Sequence, residues 1–270
     1  MVRIAAVQMR VGLDMEENFK RSIKFMEKAA EGGAKLVCFP EGHLTQYAPQ
    51  YPNLDTEDFA IGLDHPFIRE YQEECRTLGI IASISPSLKL DGKVYPVDMI
   101  IDENGEILTI AKKNHIVQTP HFYEQDYYEA GDDEEPFKVV DTSIGRLGVI
   151  VCFDRHYPES YRTMALRGAD LAIIPVGNEK AEPADIFEWE NRIGAFANAL
   201  NVVMINRVGL EGAMDFCGRS LFVNAKGMAV AQADDTEQIL YCDMKLEETA
   251  EIRKNLNYLK LRRADVFTYQ

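Results

Sequence analysis

The chain has 270 residues, 46% of them apolar, enough to bury a large core. Its 44 acidic against 29 basic residues leave a net charge of −15, which argues against a nucleic-acid partner or an anionic membrane surface. Five scattered cysteines do not read as a disulfide framework, no metal-ligand spacing occurs, and no signal peptide or run of membrane-span length is visible. The expectation is a cytoplasmic globular protein without metal or cofactor.

In chain order, Val2 to Met9 reads as a strand buried on both faces. A helix follows from about Asp14 to Glu31, with Phe19, Ile23, Met26 and Ala30 on one stripe, stopped by Gly32-Gly33. Leu36 to Phe39 is the next buried strand, and this strand–helix–strand opening implies a parallel pair with a right-handed crossover. A loop with Tyr47 and Tyr51 leads to a helix over Pro66 to Leu78 and a strand over Ile80 to Ser85. Asp91-Gly92 and Asn104-Gly105 predict hairpin turns around Val94 to Ile101. Lys113 to Pro136 lacks periodicity but carries aromatics, which argues for an ordered, functional loop.

Val149-Ile-Val151 reads as a buried strand stopping at Cys152, and Pro158-Glu159 as the first turn of a helix. The second half then alternates: helix to Leu166, strand Leu171 to Pro175, helix Ala184 to Leu200, strand Val202 to Ile205. Strands over Arg219 to Val223, Met228 to Ala231 and Gln238 to Asp243 and a helix over Glu247 to Lys254 close the chain. No linker or repeat interrupts it, so one mixed α/β domain over 1–270 is the economical reading.

Three reactive residues lie at or just beyond predicted strand ends: Glu41, Lys113 and Cys152. Sites in α/β sheets gather beyond the carboxyl ends of strands, so the three can converge. A carboxylate beside a thiol takes its proton and later activates water. An ammonium, with the backbone N–H of Phe153, stabilises the oxyanion of a tetrahedral intermediate. That set describes acyl transfer from an amide to water through a thioester. Each member also has a plainer reading: an inert buried thiol, a solvated lysine, a surface acid.

Phe39-Pro-Glu-Gly-His-Leu-Thr-Gln-Tyr47, Lys113-Asn-His-Ile116 and Val151-Cys-Phe-Asp-Arg-His-Tyr-Pro-Glu159 resemble, in order and separation, the three catalytic blocks of the carbon–nitrogen hydrolase, or nitrilase, superfamily. Flanking segments are similar too: Ile4 to Gln8, Trp189 to Val208, and Phe216 to Ser220. The resemblance implies a single-domain, four-layer α-β-β-α sandwich. It also implies Glu41 as general base, Lys113 as oxyanion stabiliser and Cys152 as nucleophile. A second glutamate in the loop after the lysine is implied as well, Glu124 being the better match and Glu129 the alternative. Gln46, Pro96, Gly194 and Ala197 depart from the family pattern, in positions that bear on packing and the dimer surface.

Cys152-Phe-Asp154 looks like the amidase and carbamoylase branches rather than the true nitrilases, which usually have Cys-Trp-Glu. Arg155, three residues past the thiol, is placed to grip a substrate carboxylate, and enzymes of the N-carbamoyl amino acid and β-ureidopropionase type have a similar Arg-His or Arg-Arg pair there. Its plainer role is an ion pair with Asp154 or Glu159. His156 is a second anion contact or a packed histidine. Tyr47, Tyr123 and Asn178 are candidate pocket lining, and His115 supports the lysine loop. The expected substrate is a small N-carbamoyl amino acid or β-ureido acid. A plain carboxamide, cut by an ω-amidase or aliphatic amidase, is the nearby alternative; a catalytically silent ligand-binding protein is the rival from another class. By resemblance the partner is another copy of the chain, in a homodimer or larger assembly.

Overall fold

The computed structural model describes residues 1–268. The first helix, α1 (Met15–Glu31), starts where Asp14 accepts a hydrogen bond from the Glu17 N–H, with Glu16 and Glu17 beside the positive dipole end. The second, α2 (Pro66–Leu78), opens on the predicted proline and closes at Gly79, which takes the left-handed conformation at φ 60°. Both helices lie on one face of an eight-stranded sheet.

In that sheet Val2–Gln8, Leu36–Cys38 and Ile81–Ile84 run parallel. Gln238–Met244 and Lys93–Ile101 flank them antiparallel, and the latter pairs in turn with Ile107–Lys112. Alternate residues divide between two cores, as the period of two along a strand requires. Ala5, Val7, Val37, Phe39 and Met99 pack with Phe19, Met26, Ile68 and Tyr71 of the two helices. Ile4, Ala6, Leu36, Cys38 and Ile100 join the core built by the second half of the chain.

The second half repeats the plan. Gly145–Val149, Leu171–Val176 and Asn201–Asn206 run parallel in a six-stranded sheet, with Val139–Thr142 and Leu221–Val223 antiparallel beside them. Its helices are α3 (Pro158–Leu166) and α4 (Ala184–Asn198). They meet at Gly194, where an added Cβ would stand 2.6 Å from the Tyr161 ring. The result is the four-layer α-β-β-α sandwich, with both sheets buried between outer helices.

Most predicted elements are present within a residue or two. The strand before Cys152 ends earlier than expected, at Val149. The Ile150 N–H still donates to the Ile173 carbonyl, and Val151 remains extended. The last charged helix is shifted to Thr249–Leu256. A hairpin of Val208–Glu211 with Met214–Cys217 was not foreseen, its strands being only four residues each.

Candidate active site

Glu41, Lys113 and Cys152 each follow the end of a strand, and the packing of the two sheets brings those ends together. Glu41 lies just past Leu36–Cys38, and the loop after it is held from beneath by Arg207. The Arg207 guanidinium, wholly buried, donates to the carbonyls of Glu41 (3.1 Å), Gly42 (3.2 Å) and Thr45 (2.7 Å). Its counter-ion is the equally buried Glu211, 2.9 Å from Nε, which also accepts the Tyr47 N–H at 3.1 Å.

Lys113 directly follows Ile107–Lys112 and is fully buried. Its ammonium donates to Glu41 Oε1 at 3.0 Å and to both oxygens of Glu124, at 2.6 and 2.7 Å. Glu124 sits on one 3-10 turn, also accepting from the Tyr47 hydroxyl at 2.7 Å and the Val117 N–H at 3.3 Å. Glu129, the alternative second glutamate, is exposed. Burial opposes the charge on Lys113, but the acidic groups around it, Cys152 once ionised and the Glu124 and Glu41 carboxylates, outweigh it and hold the ammonium well above the ordinary lysine range. Burial, with the Glu41 charge beside it, raises Glu124 against the pull of Lys113 and the Tyr47 hydroxyl.

Cys152 begins a 3-10 turn over Cys152–His156 and has φ 45°, a left-handed conformation that costs a β-carbon residue about 1–2 kcal/mol. Arg155 supports that turn: its Nη1 donates to the Cys152 carbonyl at 3.0 Å and lies 3.9 Å from Sγ. Burial, then the Glu41 charge, pushes the Cys152 thiol up to about 12, against the pull of Lys113 and Arg155. The thiol is therefore protonated at neutral pH and needs a base. Glu41 Oε2 is buried and has no hydrogen-bond partner, while Oε1 is fixed by Lys113. Gly177 lies beside that free oxygen: a Cβ there would stand 3.7 Å from it, in ordinary contact.

The remaining candidates are placed differently. Arg155 does not present a free fork. Nε donates to Glu190 (3.2 Å) and Nη2 to Asn178 Oδ1 (2.6 Å), so its acidic partner is Glu190 of α4 rather than Asp154 or Glu159. The same Glu190 carboxylate faces His156 Nδ1 at 2.7 Å. Tyr47 is buried in the Glu124 network, and Asn178 is buried under Arg155. Phe153 is half-buried, edge-on to His156. Among the described residues no cluster of His, Cys, Asp or Glu could hold a metal ion. A cavity of about 580 Å³ lies between α3, α4 and residues 262–268, touching Arg155, His156 and Glu190 but none of Glu41, Lys113 or Cys152.

Residues 3–254 match the family model described as carbon-nitrogen hydrolase. The chain belongs to the carbon-nitrogen hydrolase family. This hydrolase is 28% identical to an N-carbamoylputrescine amidase of Arabidopsis thaliana, over 98% of its own length and 94% of the relative's. It is 29% identical to an omega-amidase of Bos taurus, over 98% and 96% of the two chains. The crystal structure of a carbon-nitrogen hydrolase from Helicobacter pylori G27 superposes with a TM-score of 0.91 at 27% identity, covering 98% and 96% of the two chains. The protein is thus a carbon–nitrogen hydrolase, an amidohydrolase acting on linear amides. No helix among its described residues is long and apolar enough to cross a membrane.

Sequence reasoning missed Arg207, Glu211, Glu190 and Asp154 as parts of this site. One signal was available: Arg207 lies inside an otherwise apolar run, Val202 to Val208, whose other polar residue is Asn206. A charge in such a run is buried and must find a partner.

Proposed function

We propose that Cys152 attacks the substrate carbonyl, that Glu41 Oε2 takes the thiol proton and later activates water, and that Lys113 with the Phe153 N–H holds the oxyanion. Glu124 fixes the ammonium. The observation that carries this reading is the free, buried Glu41 Oε2 beside an Oε1 already bonded to Lys113. It is a ready proton acceptor next to a thiol that burial keeps protonated.

For the substrate we propose a small N-carbamoyl compound, in keeping with the relative named N-carbamoylputrescine amidase. Binding of an acid end by Arg155 finds no support in its contacts, since Nε, Nη1 and Nη2 are each engaged. The relative named omega-amidase favours a second reading, a plain carboxamide. Assay of purified enzyme on a panel of both classes separates them. Ureido substrates release ammonia and carbon dioxide together, and carboxamides ammonia alone. Turnover confined to carboxamides would overturn the first reading.

We also propose self-association through the α3–α4 face. Ile186, Trp189, Ile193 and Phe196 of α4 lie exposed at the spacing of one helical stripe. Light scattering of I193E should show a lighter species than the parent; equal masses would refute this contact.

A further inference from the structure

The Asp154 side chain is wholly buried, two residues past Cys152, yet it does not face the thiol network. It reaches across to the loop that follows Lys113. Its Oδ1 accepts from the His115 N–H (2.9 Å) and stands 2.6 Å from His115 Nδ1. Its Oδ2 accepts from the Asn114 N–H (3.0 Å) and from Asn114 Nδ2 (3.2 Å). The imidazole of His115 stacks on the Tyr157 ring, 3.7 Å between centroids, just before α3. Asp154 is itself anchored: its N–H donates to the Val151 carbonyl and its carbonyl accepts the Ser160 hydroxyl at 2.8 Å. On the other side, the Lys113 carbonyl accepts the Gly131 N–H at 2.8 Å.

We infer that Asp154 is a positioning residue: a strut from the nucleophile turn to the backbone after Lys113, fixing the ammonium relative to the sulfur. Lys113 and Cys152 come from different sheets, and no strand pairing sets the gap between the Lys113 and Cys152 turns. A buried carboxylate gripping successive backbone N–H groups does so with strong, directional, charge-assisted bonds. Asparagine cannot replace it. Its amide would turn an N–H donor toward Asn114 or His115, where donors already point. The inference rests on the roles proposed for Lys113 and Cys152.

The test compares Asp154→Asn and His115→Gln with the parent enzyme in three measurements: kcat and KM, the thermal midpoint, and the rate of iodoacetamide alkylation of Cys152 at pH 8, followed by peptide mass spectrometry. Displacing the ammonium by about 1 Å costs on the order of 10²-fold in rate. D154N should therefore lose about that factor in kcat, keep KM within about threefold, and alkylate more slowly because the thiolate has lost its cation. H115Q keeps both backbone bonds and should lose less than about fivefold, whereas a proton relay through the imidazole would make it as damaging as D154N. A folded D154N with parental kcat or parental alkylation rate, or an H115Q as impaired as D154N, would overturn the strut. Should D154N not fold, Asp154→Glu carries the test: it keeps the charge but lengthens the strut by one methylene, so slower alkylation at unchanged KM is expected and parental rates would overturn it. Parent enzyme that still turns over after Cys152 is alkylated would overturn the nucleophile assignment instead, a separate failure.

Discussion

Replacing Arg207 with methionine removes a cation of similar length from beneath the Glu41 loop. Four partners lose a donor at once: the carbonyls of Glu41, Gly42 and Thr45, and the Glu211 carboxylate. The carbonyls can shift or recruit water, but Glu211 cannot leave, because its other oxygen is tied to the Tyr47 N–H. Breaking a buried ion pair by deleting one partner costs about 3–5 kcal/mol, most of it the uncompensated charge left behind. For a domain of this size that lowers the thermal midpoint by on the order of 10 °C. Adding Glu211→Gln to R207M removes the stranded charge, so the double variant should recover about 1–3 kcal/mol over the single one.

Urea titration of the parent, R207M, E211Q and the double variant yields the coupling directly. Activity provides a second readout, since Arg207 grips the carbonyl of Glu41 itself: kcat of R207M should fall by on the order of 10²-fold while substrate affinity holds. The reasoning fails if R207M lies within about 1 kcal/mol of the parent, or if the double variant is no more stable than R207M.

Glu41→Gln keeps the loop shape but cannot take the thiol proton, and should lower kcat by about 10²–10⁴-fold with little change in KM. Steady-state kinetics check it, and parental kcat would end the proposed role. Glu124→Gln removes one of the charges that raise Lys113, so the alkaline limb of the pH–rate profile should move to lower pH; an unmoved limb would show that Glu124 does not set the lysine. His43 is held neutral by burial, its pKa lowered from 6.5 to about 3, with Nδ1 accepting the Ser85 N–H. The unfolded chain therefore binds a proton that the folded one refuses between those values. Stability should fall as pH drops from 6.5 toward 3, by about 1.4 kcal/mol per unit from this group, and His43→Gln should flatten that fall in urea titrations at each pH.

What the sequence reveals here follows the range of the interaction. Asp14 as a cap, Pro66 at a helix start and the Asp91-Gly92 turn act on their own neighbours, so their signals are local and legible. Glu41, Lys113 and Cys152 are legible one level up, because strand ends in such sheets converge by topology. Arg207 with Glu211, and Arg155 with Glu190, are not legible. Apart from Arg207, whose apolar neighbours mark it as buried without naming its partner, each looks like a solvated charge until the second sheet and α4 are in place to bury it. The same holds for Asp154, whose partners lie 39 and 40 residues away. Arg155 illustrates the cost: proximity to the thiol suggested a substrate fork, whereas its contacts make it a prop for the Cys152 turn.

The charge count of the buried site favours the proposed first step. Two carboxylates, Glu41 and Glu124, share one ammonium, Lys113, so the cluster is already negative before the thiol ionises. Releasing a proton from Cys152 to solvent would add another negative charge to a dry site, which is why burial and Glu41 drive that thiol up to about 12. Passing the proton to Glu41 instead leaves the total unchanged. The negative charge only moves, from Glu41 to sulfur and then to the carbonyl oxygen as the new bond forms. Lys113 is hydrogen-bonded to Glu41 throughout the resting state, so losing that carboxylate's charge frees one of its N–H groups at the moment an oxyanion appears. On this reasoning the thiolate is never a resting species. Absorbance at 240 nm, where thiolates absorb, should therefore show no Cys152-dependent signal between pH 6 and 9 when parent and Cys152→Ser are compared, and a difference appearing below pH 8 would refute the coupled transfer.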